Sequence, residues 1–381
     1  MSSPKIIIIG GGLGGLTLAQ SLRSQGINFE LFERDEGPQA RIQGWAVALQ
    51  WIIPHLRHIM PKEAPSLESV SVSAGQSEPD TADLFDANTG ESIMAKKGQN
   101  WGPGTFIRVN RAKYRQYLLT GLDIRWGHRF THYEVTETGG VKAFFDDGSM
   151  ATGDILVGAD GLRSRVRSTT VREALYQPNP PALNTLPAGV IVGEVILTRE
   201  QYKRQAKLGR AFHACMGKGV FLFTGLTSYS SDMSEGNFYW LFYFPEDQPA
   251  ESWIKTASKA ELLAFVKGKV QGIYPAFREI VELQKVEDMG EPFIMHDRVP
   301  EMCPAGPVTL IGDATHPMTP LRGEGANNAM RDSIELGQKL GEAVELDSSL
   351  ADALRAFEAV MIPRATQSVL LSRQVALTME R

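Results

Sequence analysis

Three glycines, Gly10, Gly12 and Gly15, stand in G-x-G-x-x-G spacing directly after four isoleucines, and Glu33 follows 18 residues beyond the last of them. Residues of these types at this spacing can hold a dinucleotide. Gly10 makes the tight turn, Gly12 lets the backbone approach a pyrophosphate, and Gly15 lets the next helix pack close to the preceding strand. The N-terminus of that helix carries partial positive charge suited to phosphate. Glu33 is placed to accept hydrogen bonds from an adenosine ribose. A carboxylate there disfavours a 2′-phosphate, so the site suits FAD or NAD rather than NADP.

The elements needed to position these residues are legible around them. Residues 6–9 read as a buried strand, 13–22 as an apolar helix and 28–32 as a second strand ending at Glu33. This is the order of a βαβ unit. No second G-x-G-x-x-G precedes a helix, and no C-x-x-C redox pair occurs. One nucleotide domain holding its cofactor permanently is the simpler reading.

Composition sets the frame. The chain has 381 residues, 43% hydrophobic and 22% charged, with a net charge of −5. That describes an ordinary soluble globular protein without the basic footprint of a nucleic-acid or membrane-surface binder. Cys215 and Cys303 have no metal-ligand spacing and make no disulfide framework, which fits a reducing cytosol. The opening apolar run is too short for a signal-peptide core, and no run reaches the roughly 20 residues of a membrane span. A cytoplasmic protein is expected, as a monomer or homodimer.

Along the chain, SVSVSAGQ (69–76) alternates like a strand, and residues 82–94 suggest a hairpin around Asn88, Thr89 and Gly90. The segment after Phe106 reads as helix, and Asp147-Gly148 as a turn. A proline-rich connector from 176 leads into long aromatic, β-prone runs, VIVGEVIL, GVFLFTGL and NFYWLFYFP. These predict an antiparallel sheet able to roof a cavity. Residues 259–285 read as helical, 307–313 as a last buried strand, 325–345 as a long helix, and 349–372 as a C-terminal helix kinked at Pro363.

Two further motifs, GADGLRSRVR at 158–167 and GDATHPMTPLRGEGANNAMRD at 312–332, complete a set of three. Together these resemble the single-component FAD-dependent aromatic hydroxylases, the family of para-hydroxybenzoate hydroxylase and the tetracycline-modifying monooxygenases. The resemblance spans nearly the whole chain, apart from the sequence of the middle sheet. It implies an α/β fold: a Rossmann-like FAD-binding domain of the glutathione-reductase type, an inserted antiparallel β-sheet substrate domain and a C-terminal helix. The FAD-binding domain is then discontinuous, residues 1–70, 101–175 and 290–381, with 71–100 and 176–289 forming the substrate domain.

The same resemblance implies the cofactor contacts. Asp313, after Gly312 at the end of a buried strand, accepts hydrogen bonds from ribityl hydroxyls. Pro320 lies beside the isoalloxazine. Gly323, Gly325 and Ala326 are small enough for backbone amides to reach the ring, and the helix starting near Asn327 points its positive end at the flavin pyrimidine. Asp160 and Gly161 match the family's Asp-Gly motif. Arg111 matches an arginine that reaches the FAD pyrophosphate or ribityl region, Arg34 is placed to do likewise, and Gly44 lies at a point of close approach to the ring. Arg165 and Arg167 suit phosphates or a solvated basic turn. His316 reads as a packed structural imidazole rather than a catalytic one, and His213 as a surface or core imidazole.

The family's cycle, as the resemblance implies it, runs through NAD(P)H reduction of FAD, O2 addition at the flavin C4a to give a hydroperoxide, and transfer of an oxygen atom to a small aromatic or polycyclic substrate. No catalytic triad is required, and no certain catalytic side chain emerges. Glu194, which interrupts VIVGEVIL, can bind a polar substrate group or stand as a strand-end carboxylate in solvent. Tyr239 and Tyr243 share a face, where they can orient a phenol or pack a core. Two alternatives stay open: a flavin reductase or dehydrogenase on the same scaffold, and a non-catalytic FAD-binding redox sensor.

Overall fold

A computed structural model describes residues 4–40, 46–74, 80–96, 106–174, 183–217, 219–230, 232 and 234–378. Its first sheet is entirely parallel, with strand order Val308–Leu310, Ile155–Gly158, Lys5–Ile9, Asn28–Phe32 and Ile124–Arg125. Both faces of the central strand are covered, which is why its sequence is four consecutive isoleucines. Ile6 and Ile8 pack with residues of the helices Leu13–Ser24 and Gly325–Glu345. Ile7 and Ile9 pack with a three-stranded antiparallel sheet, Phe130–Val135, Val141–Phe145 and Met150–Gly153. Full burial of each is worth about 1.5–3 kcal/mol.

The second sheet has six strands in the order Phe293–Asp297, Asn184–Thr198, Glu235–Pro245, Val220–Tyr229, Phe212–Gly217 and Ala82–Asp86. Its neighbours pair antiparallel except the last, Ala82–Asp86, which joins Phe212–Gly217 in parallel. One face, carrying Ile191, Trp240 and Phe242, packs on Leu262, Val266, Phe277 and Ile280 of the helices Lys259–Val270 and Pro275–Glu282. The opposite face, carrying Val190, Val192, Tyr239, Leu241 and Tyr243, meets Ala376 of the C-terminal helix and the partly buried Leu321 and Ala46. That face therefore looks toward the parallel-sheet body. Arg373 of the C-terminal helix clamps the two bodies, donating to both oxygens of the fully buried Asp297 at 2.7 and 2.8 Å.

Several elements differ from the sequence reading. The described part of SVSVSAGQ, residues 69–74, is not a strand: residues 67–70 form a short 3-10 turn, and Ser71 makes one isolated bridge to Val109. The helical stretch at 259–285 is two helices. Pro275, which has no N–H to continue the first, starts the second. Phe293–Asp297 is an edge strand of the six-stranded sheet, past position 289 where the sequence ended that domain. A five-residue edge strand, FIMHD, carries too little alternation to be read. The C-terminal helix continues past residue 372 to Thr378, with Pro363 inside it.

Candidate functional site

The glycine turn takes the shape its spacing requires. Gly10 has φ +110°, and its N–H donates to Phe32 O at 2.8 Å. A Cβ on Gly15 would stand 1.9 Å from Gly10 O, so only glycine lets the helix start this close to the strand. Gly12 is the N-cap of the helix, with no side-chain cap, and a Cβ there would meet nothing within 4 Å. The turn is thus packed hard on its protein side and open over the helix N-terminus, which fits a pyrophosphate. Glu33 is buried: Oε2 accepts the Gly11 N–H at 2.7 Å, and Oε1 accepts the Asp35 N–H at 3.1 Å. The acid braces the turn itself, with both carboxylate oxygens taken by backbone N–H groups. Sequence reasoning missed Arg115, whose Nε donates to Gly11 O at 3.0 Å and whose Nη1 donates to Pro38 O at 2.9 Å. Arg34 is exposed, and Gly44 lies outside the described residues.

The second motif builds a helix cap. Asp160 Oδ2 accepts the N–H groups of Arg165 and Val166 at 2.7 and 3.2 Å, at the start of the helix Arg165–Ala174. Gly161 has φ +80°, which the turn before that helix needs. Both arginines donate to backbone carbonyls, Arg167 from a buried position and Arg165 from an exposed one. Arg165 Nη1 donates to Phe130 O at 3.0 Å; Arg167 donates to Ala314 O at 2.6 Å and Leu162 O at 2.8 Å. Arg167 thereby joins the 158–162 turn to the turn carrying Asp313. Burial raises the Asp160 carboxyl pKa against its backbone hydrogen bonds.

The third motif begins where the edge strand Val308–Leu310 ends. Gly312 has φ +57°, and a Cβ on it would stand 2.7 Å from Ala329 Cβ. Asp313 follows on a short turn, open to solvent yet walled by protein. Those walls raise its pKa by desolvation, opposed by His316 and Arg111 and reinforced by Asp332. Arg111, exposed at the start of the helix Arg111–Leu118, is close enough to act electrostatically on Asp313. Gly323 has φ +65° and Pro320 is exposed, while Gly325 and Ala326 open the helix Gly325–Glu345. Asn327 fixes that helix start: Nδ2 donates to Ala48 O at 2.8 Å, and Oδ1 accepts the Gln50 N–H at 3.2 Å.

His316 is fully buried with Nε2 2.6 Å from Asp332 Oδ2, and Arg364 donates to Asp332 Oδ1 at 2.8 Å. Burial pulls the His316 pKa down, but Asp332 and then Asp313 outweigh it and hold it above the ordinary range. Burial pushes Asp332 up, and His316 and Arg364 outweigh that and hold it low. The pair is an ion pair beneath the loop, so His316 is structural as the sequence suggested.

The open carboxylate of Asp313 and the loop from Pro317 to Pro320 border a cavity of about 140 Å³, closed on the other side by Leu162 and by Phe293 to His296 of the edge strand. A larger, shallow hollow of about 440 Å³ lies between Trp253, Thr256, Ala257, Glu261 and Phe265 on the helical side, and shares no residue with the three motifs. Among the described residues no cluster of His, Cys, Asp or Glu could hold a metal, and no helix is long and apolar enough to cross a membrane.

The substrate candidates separate. Glu194 and Tyr239 pair across neighbouring strands, but Glu194 is exposed while Tyr239 is buried. Tyr239 Oη accepts from Arg108 Nη2, a partner that sequence reasoning did not name. Tyr243 is buried on the same face against Phe221, with ring centres 5.1 Å apart. His213 is a core imidazole, its Nε2 3.0 Å from Gln205 Oε1, and burial pushes its pKa down to about 3.

Two family models match this chain: one described as an FAD binding domain over residues 108–369, and one described as an NAD(P)-binding Rossmann-like domain over residues 8–67. The FAD-dependent monooxygenase thnD of Trichoderma harzianum is 36% identical over 380 residues, covering 97% of this chain and 92% of that protein. The FAD-dependent monooxygenase phnB of Penicillium herquei is 30% identical over 395 residues, covering 98% and 90%. A solved structure of an FAD-containing monooxygenase from Photorhabdus luminescens superposes with a TM-score of 0.80 at 25% identity, over 98% of both chains.

Proposed function

This chain belongs to the FAD-dependent monooxygenase family, and we propose that it uses NAD(P)H and O2 to hydroxylate or epoxidise a small aromatic or polycyclic metabolite. FAD, when bound, supplies the redox and oxygen-activating chemistry. The residues of the chain hold it and shape what reaches it. The open helix N-terminus at Gly12 and the carboxylates of Glu33 and Asp313 suit the pyrophosphate and the two sugar-like chains. Arg111, coupled to Asp313, suits the stretch between them. The amides at the start of Gly325–Glu345 suit negative charge on the reduced ring. With a single glycine fingerprint in the chain, the nicotinamide nucleotide is read as a transient visitor.

The observation that carries the substrate class is the aromatic face of the six-stranded sheet. Phe221, Phe223, Tyr239 and Tyr243 share one cluster with Leu321, next to Pro320 in the third motif. An apolar, aromatic wall beside that loop excludes water and stacks planar rings. Residues 1–70, 101–175 and 298–381 are then read as seating FAD, and 71–100 and 176–297 as selecting substrate.

The test is turnover under isotopically labelled dioxygen. The purified protein is expected to be yellow, to release FAD on denaturation, and to oxidise NADPH or NADH faster in the presence of a phenol, naphthol or indole from a panel, with label found in the product. A protein that neither carries nor takes up FAD would overturn the reading. Flavin reduction without label in any product would select the reductase instead.

A further inference from the structure

Arg108, in the strand Ile107–Asn110, is 3% exposed. Its guanidinium lies over three rings, 5.0 Å from the centre of Phe212, 5.3 Å from Phe223 and 5.7 Å from Tyr239. Nη2 donates to Tyr239 Oη, while Nε has no hydrogen-bond partner. Among the described residues no carboxylate pairs with its guanidinium; Asp80 takes the Arg108 backbone N–H at 3.2 Å instead. A guanidinium stays charged in a protein, and a buried charge without a counter-charge is unfavourable. Aromatic faces offset part of that and leave the net charge uncompensated.

The surroundings keep room for this cation. Gly225 stands opposite Tyr239 in the sheet, and a Cβ on it would lie 2.6 Å from Arg108 Nη2 and 3.0 Å from the Tyr239 ring. Ala48, paired with Arg108 across the two-stranded sheet, gives its carbonyl to Asn327 at the head of the helix Gly325–Glu345. The strand is therefore tied to the third motif on one side and reaches the aromatic wall on the other. Phe221 and Phe223 on that wall are partly exposed, while Arg108 and Tyr239 are buried behind them.

We propose that Arg108, assisted by Tyr239, is a specificity-determining residue of this chain, binding an anionic oxygen of the substrate. The inference rests on the monooxygenase reading above. Arginine supplies the missing counter-charge relation in reverse: the ligand brings the anion, and its ring stacks on Phe223 while its oxygen meets the guanidinium. Tyr239 keeps its own proton, since burial raises its pKa more than Arg108 lowers it, and so it stays neutral beside the incoming anion.

The test is calorimetric binding to the oxidised holoenzyme without NAD(P)H, with 2-hydroxy-1,4-naphthoquinone, which is an anion at neutral pH, and its neutral 2-methoxy ether as probes. The unmodified enzyme is expected to prefer the anion by at least about tenfold. Arg108→Met is expected to abolish the preference and Arg108→Lys to keep part of it. No preference in the unmodified enzyme, binding of neither probe, or an undiminished preference in Arg108→Met overturns the proposal. Where Arg108→Met fails to hold FAD, the unmodified holoenzyme decides: affinity for the hydroxyquinone must fall as acid protonates the ligand, and a pH-independent affinity overturns the assignment. Loss of labelled-oxygen transfer with the anion preference intact would count against the monooxygenase reading and not against Arg108.

Discussion

His316 Nε2 lies 2.6 Å from Asp332 Oδ2, and the same oxygen accepts the Gly312 N–H at 2.9 Å. One buried carboxylate thus fixes both ends of the turn that carries Asp313, and Arg364 holds its other oxygen. Asp332→Asn leaves the buried His316 cation without its anion, a loss of about 3–5 kcal/mol, while Arg364 keeps Glu335 at 2.8 Å. Because Asp332 is held low and His316 high, the pair stabilises the fold above the ordinary carboxylate range and below the raised His316 pKa. Thermal melts of wild type and Asp332→Asn should therefore differ most in mildly acidic buffer, and the gap should narrow as alkali removes the His316 proton. A gap that widens with alkali would contradict the ion pair.

Gly12 and Gly15 belong to one motif, and the structure assigns them different physics. A Cβ at 15 collides with Gly10 O at 1.9 Å, whereas a Cβ at 12 meets nothing within 4 Å. Gly15→Ala should lower the melting temperature of the FAD-free protein. Gly12→Ala should leave it within a degree or two, about the effect of an unstrained surface change, yet weaken FAD binding by filling the space over the helix N-terminus. Flavin fluorescence titration of the two apoproteins checks both.

Asp313 is raised in pKa by its walls, so as an anion it destabilises the empty site. Asp313→Ala should strip FAD during gel filtration while leaving the apoprotein as stable as wild type or slightly more so. A variant that retains stoichiometric FAD would remove Asp313 from the site.

His213 has its pKa pushed from 6.5 to about 3 by burial. The unfolded chain binds this proton where the folded one does not, so stability falls as pH drops below 6.5, by up to about 1.4 kcal/mol per pH unit from this one group. His213→Gln removes that titration. Its melting temperature should fall less steeply than that of wild type between mildly acidic and more acidic buffer, and parallel slopes would show that His213 is protonated without penalty in the fold.

Much of this protein was legible in its sequence because the signals were local. The turn at Gly10, the helix from Leu13 and the acid at Glu33 are set by spacing along one short segment, and four isoleucines already require a strand covered on both faces. What the sequence could not show depends on partners far apart in the chain. The carbonyl ties of Arg167 look in sequence like a phosphate-seeking basic turn. Arg108 and Tyr239 lie 131 residues apart, and Asn327 meets Ala48 across 279. The edge strand Phe293–Asp297 exists because Asn184–Thr198 offers it backbone partners, not because its five residues favour a strand. The glycine turn follows from backbone geometry along one short segment; only the tertiary structure decides which distant charges meet, as at His316 and Asp332, and which, like Arg108, face aromatic rings instead.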